Sequence, residues 1–125
     1  MIQKNNVLAD SIFNSFHELG IALIEMEYLL GIDYREILNG DIDPKSDAAS
    51  KGFVIIGIYQ MLYNLMDGNT ELMRRWMHGY CESLAYKPYD LLAKPDGMTR
   101  LHDFLSNCEK DTFFKLPEED LTASA

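Results

Sequence analysis

"FVIIGIYQMLYNLM" (residues 53–66) is the stretch on which the fold turns. It is the longest apolar run in the chain, yet its fourteen residues, Gln60 and Asn64 among them, fall short of the ~20 needed to span a bilayer. Apolar side chains cover nearly every face of the helix it would form, which predicts a helix in the middle of the fold with the other elements packed around it. A chain of 125 residues, 47% of them hydrophobic, has the means to enclose such a helix in one compact unit.

Toward the N-terminus, "DIDPKSD" (residues 41–47) is a polar connector containing Pro44. Before it, Leu8, Ile12, Phe16 and Leu19 recur at helical spacing, flanked by Val7 and Phe13, and predict a helix over residues 7–18 that Gly20 ends. Ala22, Leu23, Met26, Leu29 and Leu30 predict a second helix. Gly31 stops it, and Asp33 is placed to cap a short third helix, "YREILN" (residues 34–39), before Gly40.

Toward the C-terminus, "DGN" (residues 67–69) is a turn, and Asn69 caps a helix with Leu72, Met73, Trp76 and Met77 on one face, ended by Gly79. An irregular "YCESLAY" (residues 80–86) follows, then "PYDLLA" (residues 88–93), a short helix begun by Pro88. After a "KPDG" turn the last helix carries Met98, Leu101, Phe104 and Leu105. No strand pair, internal repeat or low-complexity segment is visible. The expected fold is all-α: a compact bundle of about six to seven short helices, opening with a helix-turn-helix-like unit over residues 1–50. A second helical region covers residues 51–108, and residues 109–125 read as an acidic tail, mobile when alone.

The 20 acidic and 11 basic residues leave a formal charge of -9, which repels polyphosphate and makes DNA a disfavoured partner. Residues 1–50 hold nine acidic and three basic residues (-6), residues 51–110 seven of each (0), and residues 111–125 four and one (-3). The acid excess therefore sits at the two ends. Two cysteines make no disulfide framework, and the opening residues lack a basic-then-apolar secretory pattern, so the expected location is the cytoplasm.

The order of helices, together with "LIEMEYLLGIDYREILNGDI" (residues 23–42) and the spacing of Trp76, Pro88, Leu91, Leu92, Gly97, Leu101 and Leu105, resembles the Xre/MbcA/ParS-like antitoxins. In the first segment the likeness rests on Leu29, Leu30, Gly31 and Gly40 with Asp41. The likeness runs from about Val7 to about Asn107. It implies an N-terminal helix-turn-helix region followed by a toxin-binding region, and as partner a toxin encoded by an adjacent gene, often a RES-domain toxin that consumes NAD. It also leaves room for a homodimer and for a DNA-binding autoregulator.

The chain departs from the family pattern in two places. A helix that reads DNA needs cations for phosphate and polar side chains for base edges, and here Tyr34, Arg35 and Asn39 would have to serve amid Asp33, Glu36, Asp41 and Asp43. The family's Asn-Pro and Gly-Gly loop is replaced by "MHGYCESLAYK" (residues 77–87), which moves partner specificity onto residues of this chain's own. Trp76, Arg75 and the tyrosines Tyr80, Tyr86 and Tyr89 are the candidate contacts, since tyrosine combines apolar area with a polar tip. The ordinary alternative for Trp76 is core packing, and for Arg74 and Arg75 solvated charge. In the tail, Phe113 and Phe114 are candidate apolar anchors, with Glu118, Glu119 and Asp120 suited to a cationic nucleotide pocket.

His78, Cys81, His102 and Cys108 have the ligand types of a zinc site but not its spacing, because two residues six apart on a helix point about 240° apart. No metal or cofactor is expected. Without a phosphate loop, nucleophile elbow or paired-carboxylate motif, the chain is not expected to be an enzyme. The expectation is an antitoxin-like, protein-binding chain; the alternatives are a DNA-binding autoregulator and an acidic adaptor or inhibitor.

Overall fold

A computed structural model describes residues 6–110 of the chain. Seven helices follow one another among them: α1 (Asn6–Glu18), α2 (Leu23–Leu30), α3 (Tyr34–Leu38), α4 (Asp47–Leu65), α5 (Thr70–Met77), α6 (Pro88–Leu92) and α7 (Gly97–Ser106). The bundle is all-helical, and its sole extended pairing among the described residues is an isolated antiparallel bridge between Cys81 and Tyr86. None of the helices there is long and apolar enough to cross a membrane.

Local chemistry sets the helix ends. Asp33 caps α3, its carboxylate accepting the Arg35 N–H (2.8 Å). Ser46 caps α4 through the Ala49 N–H (3.1 Å), and Asn69 caps α5 through the Leu72 N–H (3.1 Å). Pro88 opens α6 where its missing N–H costs nothing. Gly31 ends α2 with a φ of 74°, a left-handed turn that a β-carbon would strain. The expected stop at Gly79 comes earlier: α5 ends at Met77, and the His78 N–H donates to the Arg74 carbonyl.

α4 is central, as its composition predicts, packing chiefly on α7 and α1 and also on α2 and α5. Ala48, Gly52, Ile55, Ile58, Leu62 and Leu65 form its buried stripe. Leu8, Ile12, Phe16 and Leu19 from α1 and its end, and Met98, Leu101 and Leu105 from α7, close the same core. The helix is not buried all round, however. Phe53 and Tyr63 remain about half exposed, so α1, α2, α5 and α7 together leave part of its circumference in contact with solvent. The division between residues 50 and 51 falls inside α4.

At the α6–α7 junction the backbone of one helix runs directly onto the start of the next. A β-carbon on Gly97 would lie 1.6 Å from the Leu91 carbonyl oxygen, so no side chain fits without moving the main chain. Gly31 has open space around it, and a side chain there meets conformational strain alone. Gly97→Ala is therefore expected to destabilise the fold by about 3 kcal/mol or more, against roughly 1 kcal/mol for Gly31→Ala. Urea denaturation of both variants measures the difference, and similar losses would contradict the packing described here.

Candidate functional site

The segment from α5 to α6 gathers the aromatic residues singled out in the sequence. Met73 and Met77 are fully buried and orient α5, which leaves Trp76 half-buried at the margin of the core. Its indole stacks on Phe104 of α7, with ring centres 6.5 Å apart and planes within 12°. The neighbouring arginines diverge. Arg74 turns back to α1, donating from Nε to the Glu18 carbonyl (3.1 Å) and from Nη2 to the Glu18 carboxylate (3.3 Å). Arg75 points to solvent and pairs with Glu71 one turn earlier.

Beyond His78 the chain doubles back on itself. The Cys81 N–H donates to the Tyr86 carbonyl (3.0 Å), Ala85 adopts a φ of 62°, and the Cys81 side chain is buried beneath the loop so formed. Tyr80, at the start of this loop, is 64% exposed. Tyr86 is half-buried, with the Lys94 ammonium 5.0 Å and the Arg100 guanidinium 5.5 Å from its ring centre. Arg100 also donates to the Leu84 carbonyl (2.9 Å), which fixes α7 to the loop. Tyr89, on α6, lies 4.7 Å from the His78 ring.

Tyr80, Tyr86 and Tyr89 thus belong to one loop-and-helix unit, whereas Trp76 and Tyr89 engage different neighbours, Phe104 and His78. Phe113 and Phe114, like the acidic residues after them, lie outside the described residues. The cationic pair at Tyr86 was not among the sequence candidates. Its signal was present as Lys87, Lys94 and Arg100 within "KPYDLLAKPDGMTR", but only the tertiary fold brings two of these onto one ring.

On the N-terminal side, Tyr34, Arg35 and Asn39 are all exposed. The Arg35 guanidinium is held on the Asp33 carboxylate by Nη2 (2.7 Å) and Nε (3.1 Å). The Tyr34 N–H, at the opening of α3, donates to the Glu27 carboxylate (3.0 Å). In a helix-turn-helix the N-terminal residues of the recognition helix reach base edges between the phosphates; here two carboxylates occupy that end.

No group of three or more His, Cys, Asp or Glu side chains among the described residues is arranged to hold a metal. α7 does end between His102 and Cys108, but the His102 ring packs on Gly57 while the Cys108 thiol donates to the Phe104 carbonyl (3.3 Å). Burial, and secondarily Cys81, pushes the Cys108 thiol above its usual pKa, so it is not an activated nucleophile. No family model matches the chain, and no curated protein matches it.

The hydrogen bond from the Arg35 side chain, followed by that from its backbone N–H, lowers the Asp33 carboxyl from 3.8 to about 2. A depressed carboxyl favours the folded state above its unfolded value and loses that contribution as the pH falls through its folded one. The Asp33 cap is therefore expected to persist as the pH falls to about 2. In a carbon-detected NMR titration Arg35→Ala should move its midpoint upward, toward 3.8 but short of it, because the residue 35 N–H still donates. A midpoint that does not move would show that the pair does not form in solution.

Proposed function

We propose that the chain acts by binding protein, as an antitoxin-like partner that neutralises a toxin in the cytoplasm. The observation that carries this reading is the loop of residues 79–87. It is tied by the Cys81–Tyr86 bridge and by Arg100, it holds Tyr80 out in solvent, and it carries a Tyr86 flanked by cations. A preorganised loop that presents an exposed tyrosine suits an interface, because little conformational entropy is lost when it docks. The resemblance to the Xre/MbcA/ParS-like antitoxins supports the same reading, as it makes this the segment in which partner choice would reside. Of the residues that carry its C-terminal spacing, Pro88, Leu91, Leu92, Gly97, Leu101 and Leu105 are buried in the core and Trp76 packs at its margin, and together they support the loop. Autoregulation through DNA is the weaker reading, since Arg35 is engaged by Asp33 and carboxylates occupy the start of α3.

Co-expression with the product of the neighbouring reading frame tests the proposal. A stable complex and rescue of growth are expected, with restored NAD levels if the toxin is of the RES type. Tyr80→Ala should weaken that complex about tenfold or more, with an unchanged unfolding midpoint because the side chain is exposed. No complex and no rescue would defeat the toxin reading, and a complex indifferent to Tyr80 would remove the loop from it.

A further inference from the structure

α2 turns an apolar pair outward. Ile24 and Tyr28 stand one helical turn apart on its outer face and are 74% and 76% exposed. With Ile32 they line a shallow, open groove of about 570 Å³, whose other walls are Glu27, Gly31 and Asp33. Apart from its own chain neighbours, no heavy atom of the described residues comes within 4 Å of the position a β-carbon on Gly31 would take, so none of them overhangs the groove there. Leaving an isoleucine and a tyrosine in water at adjacent positions forgoes a burial gain that most helices of a small bundle secure.

Charge narrows what can cover this surface. Residues 21–43 contain Glu25, Glu27, Asp33, Glu36, Asp41 and Asp43 against one cation, Arg35, which is held on Asp33. A second copy of the chain would bring two such clusters together, and a nucleic acid would add phosphates to them; both are opposed electrostatically. The openness of the groove disfavours a small molecule, which needs to be largely enclosed. What fits is an apolar ridge flanked by cations, the pattern of one face of a basic amphipathic helix.

We propose that the groove formed by Ile24, Tyr28 and Ile32 is a docking site for a basic amphipathic helix of a protein partner. Its apolar face covers Ile24 and Tyr28, and its Lys and Arg side chains meet Glu27 and the neighbouring carboxylates that Arg35 does not engage. The apolar contact supplies most of the affinity, while the charges set encounter rate and orientation. None of these residues belongs to the 79–87 loop, so the site stands whether or not the chain's partner is a toxin.

The test titrates the isotope-labelled full chain with a synthetic helical peptide, about four turns long, carrying leucine on one face and lysine on the other. Amide shifts are expected to concentrate in residues 24–33. The double variant Ile24→Ser with Tyr28→Ser should bind about tenfold more weakly, at an unchanged unfolding midpoint since both side chains are exposed. A peptide with serine in place of leucine should lose a similar factor, and one with glutamate in place of lysine should not bind. Equal binding by the double variant or by the serine peptide would reduce the effect to bulk charge attraction and overturn the proposal. So would shifts confined to other residues, shifts in residues 24–33 that depend on protein concentration without peptide, or the same shifts produced by duplex DNA.

Discussion

Burial of α4 is the constraint on which the other helices depend. Its stripe from Ala48 to Leu65 is the shared wall against which α1 and α7 both close. α1 also packs on α3 and α7 on α6, but each makes its most extensive contact with α4. The long-range hydrogen bonds reinforce this arrangement without creating it. Arg74 fastens α5 to the end of α1, and Arg100 fastens α7 to the loop before α6. The Arg74 ion pair is partly exposed and so adds modestly beside its bond to the Glu18 carbonyl. What these contacts determine is where the loop of residues 79–87 stands relative to the core.

The fold also divides charge by location. The α2–α3 corner concentrates carboxylates and engages its one arginine internally, whereas Tyr86 is bordered by Lys94 and Arg100. The net charge of -9 therefore describes no single surface. The charged groups at the α2–α3 corner are mainly carboxylates, whereas those against the Tyr86 ring are cations.

Much of the architecture was legible in the sequence wherever it is decided locally. The stripe of Leu8, Ile12, Phe16 and Leu19, the caps at Asp33 and Asn69, and Pro88 at the start of α6 depend on neighbours within a turn or two, and each lies where the spacing placed it. What was not legible depends on which surfaces meet. Composition gave no sign that part of α4 would stay uncovered, leaving Phe53 and Tyr63 in contact with solvent. The divergent roles of Arg74 and Arg75 follow from the position of Glu18, 56 residues earlier. For α2 the signal lies in the spacing itself: Ile24 and Tyr28 fall outside the stripe of Leu23, Met26 and Leu30. A helix apolar beyond its buried stripe has a second face to account for.

The sharing of α4 also bears on how such a chain can be recombined. α1, α2 and α3 leave the ribosome before α4, the helix on which α1 chiefly packs, so Ile12, which lies against Gly52, is still uncovered at that point. A fragment cut at residue 50 would carry the helix-turn-helix-like unit away from its own core. A cut after Leu65 would in turn strip Met98, Leu101 and Leu105 of α7 from the same helix, so the core offers no seam on either side of α4.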